Sequence, residues 1–279
     1  MYTGPSKNPL LPNDFEDTSS SNPTDNENPK ESNEDNQNGN NDKDDSDNNQ
    51  QNTNSDNGNW STAKNNMSRY ASGTSNNFKR AVSSYVKAHG GAKNAAKTAY
   101  SGIRSTANFG RFIINSSNQG IRETLSQYQI DYEGRTAKDI LTDVINKLAP
   151  IPITKEDSVA RKALIRTMEV LYEKIEDENK DISTFDKIDK ALLNEMIPIQ
   201  IESYIYERII NDLGSRIETK SSSPAEAIYK ENELKDYINS KVEATLKGTD
   251  FSILDFNKNI EKEVASLYNQ CYKVMEDML

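Results

Sequence analysis

Four cations, Lys93, Lys97, Arg104 and Arg111, stand 4, 7 and 7 residues apart. If the segment from Ala92 to Ile114 is one helix, at about 100° per residue these side chains fall within about 40° of one another. Ala95, Gly102, Phe109 and Ile113 then lie opposite, with Ala99 close by, so one helix carries a cationic stripe and a small-residue face. Such a stripe can meet phosphates, an acidic protein surface or the chain's own acidic tail, while the small face lets another backbone approach closely. A solvated face opposite an ordinary packing face explains the same spacing.

Other chemistry-bearing residues are sparse. The chain has one Cys and one His, too few for an intramolecular disulfide or a CxxC-type zinc site, and a narrow basis for a nucleophile–base pair. Cys271 falls on an apolar helical seam, where a thiol behaves as a small hydrophobe. His89 precedes Gly90 and Gly91 at a helix end, where the helix dipole accounts for it. Carboxylates read as caps, tail repeats or surface pairs such as Arg208 with Asp212, and no phosphate-binding loop surrounds Gly90 and Gly91. No catalytic residue, metal site or cofactor is expected.

Charge divides the 279 residues more sharply than the net of -10 suggests. Residues 1–59 hold 3 basic and 13 acidic side chains, residues 60–122 hold 10 basic and no acidic ones, and the remainder holds 21 basic and 31 acidic. Residues 13–59 are built from Asn, Asp, Ser and Glu with almost no aliphatic side chains, a composition that cannot offset chain entropy and predicts a disordered acidic linker. Ahead of it, the opening "MYTGPSKNPLLP" carries three prolines and the apolar pair Leu10 and Leu11. No apolar run is long enough to span a membrane, and the first twenty residues lack the regions of a signal peptide, so a cytoplasmic protein is expected.

The elements that must position these residues are helical. Ser75 or Asn76 can cap a helix through Phe78, Val82, Tyr85 and Val86 that stops at Gly90 and Gly91, and a second helix is predicted from about Ala92 to Ile114. Thr154 with Asp157 resembles a capping box before the face Ala160, Leu164, Thr167, Leu171 and Ile175; Ser223, Pro224 and Glu226 supply cap, N1 proline and N3 acid. The series Ile253, Phe256, Ile260, Val264, Leu267, Cys271, Val274 and Met278 reads as the seam of a final helix, with Lys247 and Gly248 ending the one before. No strand alternation is evident. The expected fold is all-α: an N-terminal peptide (1–12), the acidic linker (13–59), a basic helical region (60–122) and a C-terminal helical bundle (136–279).

The stretch "RYASGTSNNFKRAVSSYVKAHGGAKNAAKTAYSGIRSTANFG", from Arg69 to Gly110, resembles the middle of the QatB family of the four-protein Qat anti-phage defence system. A second block, Ile197 to Ile238, is similar to the family's C-terminal helical signature at Ile201, Glu202, Arg208, Asp212, Gly214, Ile217, Ala227, Leu234 and Tyr237. "GPSKNPLLP" is similar to the family's Gly/Pro opening, although members commonly start Met-Gly-Thr-Ser where this chain has Met1, Tyr2, Thr3 and Gly4.

The resemblance implies a bacterial, non-enzymatic defence subunit acting beside an ATPase (QatA), a QueC-like enzyme (QatC) and a TatD-like nuclease (QatD). It further implies a partner-facing N-terminal peptide, formed here by Tyr2, Thr3, Gly4, Pro5, Asn8, Pro9, Leu10, Leu11 and Pro12, that enters the QueC-like active site and is a substrate for processing or 7-deazaguanine modification. Two other roles are consistent with the same residues: a nucleic-acid adaptor that delivers phage DNA to the nuclease through the cationic stripe, and a purely structural assembly subunit.

Overall fold

Helix α8 (Leu192–Lys220) runs about 43 Å at 1.5 Å per residue and is buried without interruption from Gln200 to Ile209, so it has neighbours on every side. A computed structural model describes residues 51–175, 181–256, 258 and 260–277. Around α8 are α1 (Gln51–Ala71), α2 (Phe78–Ala88), α3 (Ala92–Lys97), α4 (Tyr100–Gln119), α5 (Ile121–Gln127), α6 (Ala137–Leu148), α7 (Lys155–Ile175), α9 (Pro224–Leu246) and α10 (Ile260–Glu276). Two 3-10 turns, Ile182–Lys187 and Phe251–Ile253, complete the elements, and no strand occurs among the described residues. The fold is all-α.

Helix α8 packs on α1, α4, α7 and α9, while α10 lies across α2, α3, α4 and α9. One continuous core links Met67, Tyr70 and Tyr85 from the first helices with Tyr204, Ile205, Tyr268 and Tyr272 from the last ones. The basic region and the C-terminal helices therefore share their interior. The N-terminal peptide, Tyr2 to Pro12, and most of the acidic linker lie outside the described residues.

Local signals set several helix starts. Thr154 and Asp157 bond reciprocally, Asp157 N–H to Thr154 Oγ1 at 3.1 Å and Thr154 N–H to Asp157 Oδ2 at 3.1 Å, which opens α7 as its capping box predicts. Ser223 accepts from the Glu226 N–H at 3.2 Å, with Pro224 at N1 of α9; the Glu226 carboxylate reaches back to the Ser222 N–H rather than to Ser223. The cap of α2 is Asn77, one residue beyond the expected pair.

Two expected helices are corrected. The helix from Ala92 to Ile114 is broken at Thr98 and Ala99 into α3 and α4. The acceptor that a continuous helix would offer the Ala99 N–H is the Ala95 carbonyl, but that oxygen is bonded by the Arg208 guanidinium at 2.8 Å and by Thr98 Oγ1 at 3.2 Å. Ala99 turns to the Ala96 carbonyl instead, at 3.0 Å.

The seam expected from Ile253 begins only at Ile260. Ile253 is 77% exposed in its 3-10 turn, and Phe256 is buried in the following loop, whose carbonyl at Phe256 accepts from Arg111 Nε at 2.8 Å. Within α10, Ile260, Val264, Leu267 and Cys271 are buried as the spacing predicts; Tyr268, Tyr272 and Met275 widen the face, and Val274 is half-buried. Met278 is outside the described residues.

On α4, Gly102 of the small-residue face and Gly110 beside that face each admit an aromatic ring, not another backbone. A Cβ at Gly102 would stand 2.5 Å from Cε2 of Tyr204, and one at Gly110 only 2.0 Å from Cε1 of Phe256. Both rings are fully buried, so neither has room to swing away. Gly102→Ala and Gly110→Ala should each lower unfolding free energy by about 1–3 kcal/mol, the usual cost of overpacking. Urea denaturation checks this, and unchanged midpoints would show the contacts to be loose.

Candidate functional site

In the middle of α8 the charged residues Glu202, Glu207 and Arg208 are buried and Asp212 is half-buried. Arg208 donates from Nη1 to the Ala95 carbonyl at 2.8 Å and to Tyr272 Oη at 3.2 Å, and from Nη2 to Thr98 Oγ1 at 2.7 Å. Its Nε lies 3.8 Å from Glu156 Oε2, and Tyr204 donates to the other oxygen of that carboxylate. One turn on, Asp212 accepts from Lys155 Nζ at 3.0 Å and from Tyr85 Oη at 2.9 Å, with His89 Nε2 at 3.8 Å. The expected surface pair of Arg208 with Asp212 is thus overturned. Arg208 is buried, and the two side chains reach different neighbours, because a helix enclosed on all sides sends even its i,i+4 polar residues to separate packed elements.

Electrostatics follow from this enclosure. Burial pushes the Glu156 carboxyl up to about 7 against the pull of Arg208. Burial alone would raise Asp212 too, but the polar contacts of His89, Lys155 and Tyr85 hold it at about 2. For His89, burial lowers the pKa and outweighs the opposing carboxylate; the imidazole is wedged edge-on between Trp60 and Tyr85, at 5.0 and 4.7 Å between ring centres. Farther along α8, Glu202 is also raised to about 7 by burial, opposed by Lys235 and Arg166. Arg166 itself pairs with Glu207 at 2.7 Å. Cys271 is fully buried and its thiol is pushed up to about 12 by burial, which keeps it protonated and packed.

Chemically this arrangement is a set of matched charges that ties α2, α3, α7, α8 and α10 together. Among the described residues, no three His, Cys, Asp or Glu side chains gather in a way that could hold a metal ion.

The cationic positions are dispersed by the break after α3. Lys93 and Lys97 are exposed on α3 and make no ion pair among the described residues. Arg104, on α4, is exposed but sits 3.2 Å from Asp157. Arg111 is half-buried, bonded to the Phe256 carbonyl and to Asn108 Oδ1 at 2.9 Å, with Glu261 at 3.9 Å. The four do not form one free stripe.

The network roles of Glu156, Tyr85, Tyr204 and Tyr272 are not evident in the sequence. The available signal was the block from Ile197 to Gly214, apolar around its whole circumference yet carrying Glu202, Glu207, Arg208 and Asp212. Charges in such a helix must be paired internally.

The family described as Qat anti-phage system associated protein QatB matches residues 90–275, two thirds of the sequence. The chain belongs to the QatB family. The match spans α3 to α10 and takes in every member of the buried network except Tyr85 and His89, which precede it. It includes neither the opening peptide nor Arg69 to His89, which the resemblance had also drawn on. No curated protein and no solved structure matches this QatB-family chain. No helix among its described residues is long and apolar enough to cross a membrane.

Two outcomes are expected of the network. Arg208→Leu removes the guanidinium bonds to the Ala95 carbonyl, Thr98 and Tyr272 and leaves Glu156 without its cation, and should cost about 3–5 kcal/mol in urea denaturation. Because the folded state holds the Glu156 proton more tightly than the ordinary 4.5, its contribution is full below about 4.5 and is lost as pH rises through about 7. Glu156→Gln should therefore gain stability relative to the parent between pH 5 and pH 8, by on the order of 2 kcal/mol. Parallel stability–pH curves would contradict the raised carboxyl.

Proposed function

We propose that this QatB-family chain is a non-enzymatic subunit of the Qat defence complex that binds the QueC-like enzyme. Its N-terminal peptide, from Tyr2 to Pro12, enters that enzyme's active site as the substrate of processing or 7-deazaguanine modification. The helical body holds the enzyme or the other components, the ATPase and the TatD-like nuclease, close by. Pro5, Pro9 and Pro12 reduce the entropy lost when the peptide is gripped, and Leu10 and Leu11 supply an apolar anchor.

The observation that carries this reading is the QatB match across α3 to α10. The inward-facing charges support it: Glu156, Arg208 and Asp212 are engaged with other elements of the fold. The nucleic-acid role has less support, since Arg111 is occupied by internal partners and Arg104 shares its guanidinium with Asp157. Phosphate binding requires cations free to replace counterions.

The test is co-expression with the QueC-like enzyme, followed by intact-mass measurement and a pull-down. A mass increase that maps within residues 1–12 is expected, together with binding at least about tenfold weaker after deletion of those residues, a loss of about 1.4 kcal/mol. Unchanged mass with undiminished binding of the deleted protein would remove the peptide from the mechanism.

A further inference from the structure

The loop joining α6 to α7 reads Ala149-Pro150-Ile151-Pro152-Ile153-Thr154. Ile151 is 82% exposed and Ile153 is 95% exposed. These isoleucines are held outward by bonds on both flanks. On one side the Leu148 carbonyl accepts from Asn108 Nδ2 at 3.2 Å and the Ala149 carbonyl accepts from Arg161. On the other, Thr154 is closed into the capping box with Asp157. Pro150 and Pro152 restrict the backbone between these anchors. A loop fixed in this way keeps its apolar side chains in water in every copy of the protein, which is the mark of a surface that something else covers.

Beside the loop is a groove of about 320 Å³, walled by Ser101, Arg104, Ser105 and Asn108 of α4 and by Lys147 at the end of α6. The rim is cationic. Lys147 makes no ion pair among the described residues, and the Arg104 guanidinium, 58% exposed, gives Asp157 one nitrogen and leaves the rest to solvent.

We infer that this groove and the Ile151–Ile153 loop dock an extended segment of a partner protein that carries aliphatic side chains next to a carboxylate. The groove takes a few side chains, not a folded surface. Ile151 and Ile153, two apart, offer the alternate-residue spacing of an extended partner, and the carboxylate meets Arg104 and Lys147. The apolar wall opposes a nucleic-acid phosphate. The inference rests on the reading that the helical body binds another protein of the defence complex, and it names where.

The experiment uses the full chain co-expressed with the QueC-like enzyme, the ATPase and the TatD-like nuclease, with p-benzoylphenylalanine replacing Ile153. The expected result is a cross-link to a segment of one of those three proteins in which aliphatic residues adjoin Asp or Glu. Ile151→Asp with Ile153→Asp should then weaken binding to that protein by about 100-fold, as for two buried isoleucines, with an unchanged thermal midpoint showing that the body still folds. No cross-link, one to a basic segment, to DNA or to a second copy of this chain, or undiminished binding by the double variant, would overturn the docking site. Deleting residues 1–12 separates the two ideas: the Ile153 cross-link persists even if the N-terminal peptide proves to have no role.

Discussion

Burial of the Arg208 guanidinium is the constraint on which the rest of the fold depends. A cation inside a protein is tolerated only when its donors are matched, and Arg208 is matched by a backbone carbonyl from α3, a threonine hydroxyl at the α3–α4 joint, a phenol from α10 and a carboxylate from α7. Those four partners fix where α8 sits relative to its neighbours. They also create the joint between α3 and α4, because the carbonyl Arg208 occupies is the one a continuous helix would need. Asp212 extends the same scheme to α2 through Tyr85 and His89, and Tyr70 of α1 reaches the Lys230 carbonyl and the Glu233 carboxylate of α9 at 3.0 and 2.8 Å. Helices that precede the family match are thus docked by buried polar contacts onto those within it.

This internal matching changes the meaning of the charge pattern. The stretch from residue 60 to 122 has no acid of its own, yet Arg104, Arg111 and Arg122 each face a carboxylate from the acidic remainder, Asp157, Glu261 and Asp186. Three of the segment's ten cations are thus met in space by sequence-distant partners. Lys64, Arg69, Lys79, Arg80, Lys87, Lys93 and Lys97 stay exposed, as does Lys147 beside the exposed isoleucines.

Features governed by near neighbours were legible in the sequence. The capping box at Thr154 and Asp157, the Ser223-Pro224-Glu226 start of α9 and the buried series Ile260, Val264, Leu267 and Cys271 each follow from contacts within a turn or two. What was illegible depended on distant residues. The break at Thr98 requires Arg208, more than a hundred residues away, and the fate of Arg208 and Asp212 requires knowing that α8 is enclosed. Helix α1 has a polar sequence whose buried stripe, Ala63, Met67, Tyr70 and Ala71, is too thin to stand out. Ile151 and Ile153 show the converse: apolar residues in a sequence do not declare whether the fold will bury them or hold them out.

Together these features describe a helical body pinned by Arg208, for which we propose an apolar and cationic edge that meets a partner and an amino-terminal peptide gripped by the same complex. Hydrogen–deuterium exchange of the full chain, free and in complex with the QueC-like enzyme, the ATPase and the TatD-like nuclease, tests that account most directly. It predicts new protection in residues 1–12 and from Lys147 to Ile153, with the Arg208-linked helices already protected in the free protein. Protection gained only on the outer face of α9, or rapid exchange of α8 in the free chain, would contradict it.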